Sequence, residues 1–245
     1  MQLLYKSLVL FDIDGTLVRR AGPHHREALV VGVRRVTGLD TTTDGIPVQG
    51  MLDPDIVSVM LRRVGVSGTQ IRAAMPEIIR AAERHYLRTC PVLHDKHCPG
   101  VAPLLDRLRR RGVLLGLVTG NLTRIGWRKL DRAGLHEFFR FGAFGEMAKT
   151  RTSLTRIAIR EARRKGWIAR DTPISLIGDA PPDVIAARAN GIQSIAVQTG
   201  ITPLEELVAE SPDILLRDLR DLRLRMLAVR PDFRTSRVFP AYRPN

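Results

Sequence analysis

The chain has 245 residues, 44% of them hydrophobic, with 39 Lys and Arg against 25 Asp and Glu for a formal charge of +14. That length and apolar content suffice for one large domain or one domain with an insertion, and no stretch reaches the apolar length of a membrane span, which excludes a helical membrane protein. Cys90 and Cys98 are the only cysteines, which excludes a disulfide framework and leads us to expect a reducing, cytoplasmic setting. The basic excess is almost all arginine, spread over helical faces such as Arg107, Arg109, Arg110 and Arg111. No basic stretch carries the interleaved aromatics that stack bases, so the composition disfavours nucleic acid as a partner.

The first apolar run, residues 8–11, reads as a buried strand and ends in Asp12-Ile13-Asp14-Gly15-Thr16. Two carboxylates one residue apart at a strand end repel each other unless a metal ion or another positive group lies between them. From about residue 19 to 95 the pattern is helical. One helix spans 25–37, and a second presents Ile56, Val57, Met60, Leu61 and Val64 on one face. Asp53 is placed to cap that second helix, with Pro54 at its first position. A third helix is expected from about 70 to 88, with Pro76 kinking it or marking its true start. Cys90, His94, His97 and Cys98 follow; the adjacent His97 and Cys98 strain tetrahedral zinc geometry, and the segment reads as a linker.

Strands then alternate with helices. A helix at 101–111 buries Val101, Leu104, Leu105 and Leu108, and a strand at 113–118 ends in Thr119-Gly120-Asn121. A strand at 141–144 precedes a helix at 153–165. The strand at 174–177 ends in Gly178 and Asp179, and the helix at 183–190 stops at Gly191. Short strands at 194–197 and 214–216 complete the series, and residues 230–245 form a polar, loosely packed tail. The alternation predicts an α/β fold, a Rossmann-like doubly wound parallel sheet with an inserted helical domain. The expected division is residues 1–18 and 96–229 as core, 19–95 as helical cap and 230–245 as tail.

In such a sheet ligands bind beyond the carboxyl ends of the strands, so Asp12, Asp14, Thr119, Asn121, Asp179 and Asp183 should converge on one crevice. Carboxylates, a hydroxyl, an amide and free helix-start N–H groups suit one hard divalent cation and one phosphate.

These three clusters, with a basic residue at Lys149 or Arg151 between the second and third, resemble in this order the haloacid dehalogenase-like (HAD) superfamily in its phosphatase branch, and the insertion resembles that family's helical C1 cap, as in phosphoglycolate phosphatase-like members. The resemblance covers about residues 5–220. It implies that Asp12 is the nucleophile, that Asp14 is the general acid and base, and that Mg²⁺ is held by Asp12, the Asp14 carbonyl, Asp179 and Asp183. Thr119, with Gly120 and Asn121, would bind the phosphoryl oxygens. The acid at position 14 separates the chain from the dehalogenases, and no Lys stands between Arg19 and Asp95 for the phosphonate-cleaving chemistry of the cap-lysine members. The third motif departs from the usual Lys-Pro. Its cation is Arg151 or Lys149, with Arg151 in the better register, three residues before Leu154. Ala180 stands where a hydroxyl is common. Asp53 and Arg26, with His24 and His25, are the cap residues that could reach a substrate. The implied activity is Mg²⁺-dependent hydrolysis of a small phosphorylated metabolite by a monomer or homodimer, phosphoglycolate-like or a phosphosugar. The alternatives are a phosphosugar mutase, a nucleic-acid-end phosphatase or a catalytically silent phosphate binder.

Overall fold

The structure is a computed structural model that describes residues 4–228; the expected tail at 230–245 lies outside the described residues. Six parallel strands form one sheet: β1 (Ser7–Phe11), β2 (Val113–Val118), β3 (Gly142–Ala143), β4 (Ile174–Gly178), β5 (Gln193–Val197) and β6 (Ile214–Leu216). Their order is β3-β2-β1-β4-β5-β6, so the winding reverses at β1. Register places Phe11 beside both Leu117 and Ile177. Asp12 therefore emerges level with the ends of β2 and β4, at the crevice where open sheets bind ligands.

Alternation along β1 builds both layers. Val9 and Phe11 enter one cluster with Leu104, Leu105, Ile125 and Leu130. Leu8 and Leu10 enter the opposite cluster with Leu154, Ala158, Leu176 and Ala186. The first face is covered by α4 (Val101–Arg110) and α5 (Thr123–Ala133), and the second by α6 (Arg151–Arg164) and α7 (Pro181–Ala189). A fifth core helix, of one and a half turns, runs Leu204–Ala209 before β6. Each fully buried Leu, Ile or Phe in these layers stabilises the fold by roughly 1.5–3 kcal/mol.

Between β1 and β2 the chain forms α1 (His24–Thr37), α2 (Asp53–Arg63) and α3 (Gly68–Thr89), with α1 packed along α3. Beyond β1, Val18 and His97 on either side of these three helices form an isolated antiparallel bridge that draws the two connecting segments together. The apolar face of the inserted helices (Leu29, Val33, Met60, Ile78, Tyr86) is continuous with the sheet cluster that holds Phe11 and Ile13. The third helix runs Gly68–Thr89, close to its expected ends, and Pro76 lies inside it rather than at its start. Ser67 caps it reciprocally: its Oγ accepts from the Gln70 N–H, and Gln70 Oε1 accepts from the Ser67 N–H. Those two bonds fix the start two turns before the proline.

Candidate active site

The site grows from the ends of β1, β2, β4 and β5. Asp12 is 5% exposed, and its Oδ1 accepts from Arg151 Nη1 at 2.9 Å. The same Nη1 donates to the Val118 carbonyl at 2.9 Å, tying the guanidinium to the end of β2. Arg151 stands there because it opens α6: Thr150 caps the helix by accepting from the Ser153 N–H at 3.2 Å, which turns the next side chain inward. Burial works against the Arg151 charge, but Asp183 and Asp12 outweigh it and hold its pKa above the ordinary arginine value. Lys149, two residues earlier, is exposed to solvent.

Asp179, just past β4, accepts from Thr16 Oγ1 at 3.1 Å. Gly15 folds back with φ +82°, and a Cβ there would run into the Asp179 carboxylate. Asp183 lies in the first turn of α7, where Oδ2 accepts from the Ala180 N–H at 3.3 Å. Oxygens of Asp12, Asp179 and Asp183 lie within 4.8 Å of one another, all three residues buried. Burial and the charges of Asp12 and Asp183 push Asp179 well above the usual carboxylate range. Burial also raises Asp183; Arg151 opposes the rise and Asp12 adds to it, leaving it at about 7. Asp183 Oδ1 and Arg151 Nε face each other at 3.4 Å, yet neither has a hydrogen-bond partner. A crowded trio of hard oxygen donors with one buried oxygen unsatisfied fits a divalent cation such as Mg²⁺ and its bound water.

Asp14 points the other way, into a second network. Lys129 Nζ meets its Oδ1 at 2.7 Å and Oδ2 at 2.5 Å, and Asn121 Nδ2 donates to Oδ2 at 2.8 Å. Desolvation would raise Asp14, but the Lys129 charge and the hydrogen bonds from Lys129 and the Asn121 amide oppose it, and the carboxyl is held below its usual range. Lys129 comes from α5 and is 1% exposed. Its remaining contacts are Asn121 Oδ1 at 2.6 Å and His25 Nδ1 at 3.1 Å. Thr119 is fully buried, and its Oγ1 accepts from Asn121 Nδ2 at 2.8 Å.

Asp53 does not cap α2. Leu52 occupies the cap position and Asp53 is the first helical residue. Its Oδ2 instead accepts from the Leu122 N–H at 2.8 Å and from His25 Nε2 at 2.8 Å. The start of α5 has no cap of its own. Its first three N–H groups are taken by carboxylates from elsewhere: Leu122 by Asp53, Thr123 by Glu146 and Arg124 by Glu83. Two of these three acids belong to the inserted helices, so a positive helix end docks the insertion onto the core. The backbone adds to this, with the Asp53 N–H donating to the Gly120 carbonyl at 2.9 Å.

These residues border a cleft of about 740 Å³ whose walls include Asp12, Asp14, Gly120, Asn121, Lys129 and Arg151. Asp179 and Asp53 also line it, whereas Thr119, Asp183 and Lys149 do not. Arg26 lies on the cavity wall beside Arg19 and Arg20, and none of the three makes an ion pair among the described residues. Sequence reasoning missed Lys129, the role of His25 and the loop after β5, where Gln198, Thr199 and Gly200 reach the cavity. The signal for Lys129 was present: it falls on the buried stripe of α5 with Ile125, Leu130 and Ala133, where a charge needs partners.

A family model described as haloacid dehalogenase-like hydrolase matches residues 6–191. A phosphoglycolate phosphatase of Synechococcus elongatus is 30% identical over 217 residues, covering 87% of this chain and 94% of its own length. A glyceraldehyde 3-phosphate phosphatase of Methanopyrus kandleri is 28% identical over 206 residues, covering 78% of this chain and 84% of its own. Among solved structures, CbbY from Rhodobacter sphaeroides in complex with phosphate superposes with a TM-score of 0.68 at 21% identity, over 92% of this chain and 100% of that one. The β-phosphoglucomutase of Clostridium difficile gives 0.66 at 17% identity, over 91% and 95%.

Proposed function

The chain belongs to the haloacid dehalogenase-like hydrolases and is a phosphatase, and from that premise we propose that it hydrolyses a small phosphorylated metabolite through an aspartyl-phosphate on Asp12. The observation that carries this reading is the buried Asp12 carboxylate at the wall of a cleft between the sheet ends and the inserted helices, with the Arg151 guanidinium on one oxygen and two further buried carboxylates beside it. A Mg²⁺ held by Asp12, Asp179, the Asp14 carbonyl and Asp183 would supply charge neutralisation, letting an anionic nucleophile meet an anionic phosphate.

An Asp12 oxygen attacks phosphorus as the ester P–O bond breaks, and the leaving oxygen takes a proton from Asp14, which takes that proton up from solvent once the anionic substrate beside it offsets the Lys129 charge that otherwise keeps it ionised. Asp14 then takes a proton from the water that attacks the acyl-phosphate, releasing inorganic phosphate and restoring Asp12. Arg151 holds Asp12 in place and balances the charge of the transferring group. The Gly120 N–H supports the phosphoryl oxygens, while Thr119 Oγ1 braces Asn121 by accepting from its backbone N–H and its side-chain amide.

A cavity of about 740 Å³ accommodates a small metabolite. The unpaired Arg19, Arg20 and Arg26 on its wall favour a substrate with a second anionic group, such as a phosphorylated carboxylate or bisphosphate. The relatives named for phosphoglycolate and glyceraldehyde 3-phosphate support that size class.

The test is turnover of p-nitrophenyl phosphate and of a panel of phosphorylated two- to six-carbon metabolites, with and without Mg²⁺. Hydrolysis that disappears in Asp12→Asn and in chelator supports the reading. An Asp12→Asn protein as active as the wild type would refute it.

A further inference from the structure

Four side chains from distant parts of the sequence form one continuous line: Asp53, His25, Lys129 and Asp14. Their protons can be assigned from the acceptors alone. Asp53 Oδ2 already accepts from the Leu122 N–H, and a carboxylate offers only acceptors, so His25 Nε2 at 2.8 Å is the donor. In the neutral ring, His25 Nδ1 then carries a lone pair, which accepts from Lys129 Nζ at 3.1 Å. The other Lys129 protons go to Asn121 Oδ1 at 2.6 Å and to Asp14. Because Asn121 Oδ1 is an acceptor there, its Nδ2 is fixed as a donor, toward Asp14 Oδ2 and Thr119 Oγ1.

The ammonium is thus fully coordinated by three partners, as a charge 1% exposed requires. With no lone pair available, Lys129 is not a nucleophile. It also stands behind Asp14, whose side chain is 43% exposed toward the cavity, so it acts through Asp14. His25 and Asp53 belong to the inserted helices, while Lys129, Asn121 and Asp14 belong to the core. The last ligand of the lysine is therefore delivered only when the insertion docks.

We infer that Lys129 is a positioning residue for Asp14, and that the docked insertion sets it through the Asp53–His25 pair, so that the carboxylate handling the leaving-group proton is oriented only in the closed enzyme. The inference rests on the assignment of proton transfer to Asp14. Without the His25 lone pair, one ammonium proton lacks an acceptor and Lys129 is free to swing, taking the Asp14 carboxylate with it.

The experiment measures kcat/KM of the full-length protein with Mg²⁺ on phosphate esters of graded leaving-group acidity, from p-nitrophenyl to simple alkyl phosphates. A positioned proton donor matters for the alkoxide and little for nitrophenolate. Lys129→Met should lower kcat/KM on alkyl phosphates about 100-fold, the low end of general acid catalysis, and on the nitrophenyl ester less than about 5-fold. His25→Gln, whose amide reaches Asp53 but offers nothing at the Nδ1 position, should do the same. His25→Asn, whose side-chain oxygen can stand where Nδ1 stands, should recover most of the loss. The inference is overturned if Lys129→Met lowers all esters equally or none, or if His25→Asn and His25→Gln are indistinguishable. If Lys129→Met does not fold, the two His25 variants decide alone. A wild-type enzyme that turns over no phosphate ester overturns the assignment beneath the inference. Wild-type turnover with parallel leaving-group dependences overturns the inference alone.

Discussion

Asp53 offers the sharpest test of how the insertion is held. Its Oδ2 serves the buried Leu122 N–H and the His25 ring at once, in a residue 2% exposed. Asp53→Ala removes both bonds. An unsatisfied buried N–H costs about 1–3 kcal/mol. Loss of a negative charge at a helix N-terminus adds about 0.3–1 kcal/mol. The expected total is about 3 kcal/mol, a fall of about 6–12 °C in Tm for a chain of this size. Asp53→Asn keeps an acceptor for both donors and loses only the charge, so about 1 kcal/mol is expected. Urea titration with unchanged slope measures the difference. Hydrogen exchange localises it: the Leu122 amide should exchange about 100-fold faster in the alanine variant, at one decade per 1.4 kcal/mol. Equal destabilisation by Asn and Ala, or a loss below about 0.5 kcal/mol in Asp53→Ala, would refute the docking argument.

Three further outcomes are expected. Gly120→Ala places a Cβ against the Met51 carbonyl, backbone against backbone, so the docking loop must withdraw; kcat/KM should fall at least about 10-fold and proteolysis near residue 50 should accelerate. Burial, with the Asp179 charge adding to it, pushes the Cys98 thiol from an ordinary 9.0 to about 12. A raised pKa stabilises the fold fully below pH 9 and loses that contribution as pH climbs toward 12, so Cys98→Ala should flatten the alkaline decline in Tm. Mg²⁺ at a hundred times its Kd should raise stability by about 2.7 kcal/mol. Asp179→Asn should weaken that thermal shift whether or not a substrate is present.

The parts of this protein legible without coordinates are those governed by local periodicity. The 8–11 run and the 113–118 and 174–177 runs end in polar clusters, and the sheet register brings those clusters level, as Phe11 beside Leu117 and Ile177 shows. Pro76 left an internal site and a helix start both open, and the Ser67–Gln70 cap excludes the second by beginning the helix ahead of the proline. Asp53 misled because a carboxylate before a helix has two uses, capping its own helix or another's. Lys129 was hidden for a related reason: one charge in an apolar stripe signals burial without naming its partners.

The sequence by itself determined the chemistry on offer: two carboxylates after the first strand, more after the fourth, and a helical insertion between. Only the tertiary structure decided how those acids divide, with Asp12 facing Arg151 and the metal-competent trio, and Asp14 facing Lys129. The physical reason is that a buried charge is stabilised by pairing, and His25, Asp53, Asn121 and Lys129 are brought within hydrogen-bond reach by packing between segments that no periodicity connects.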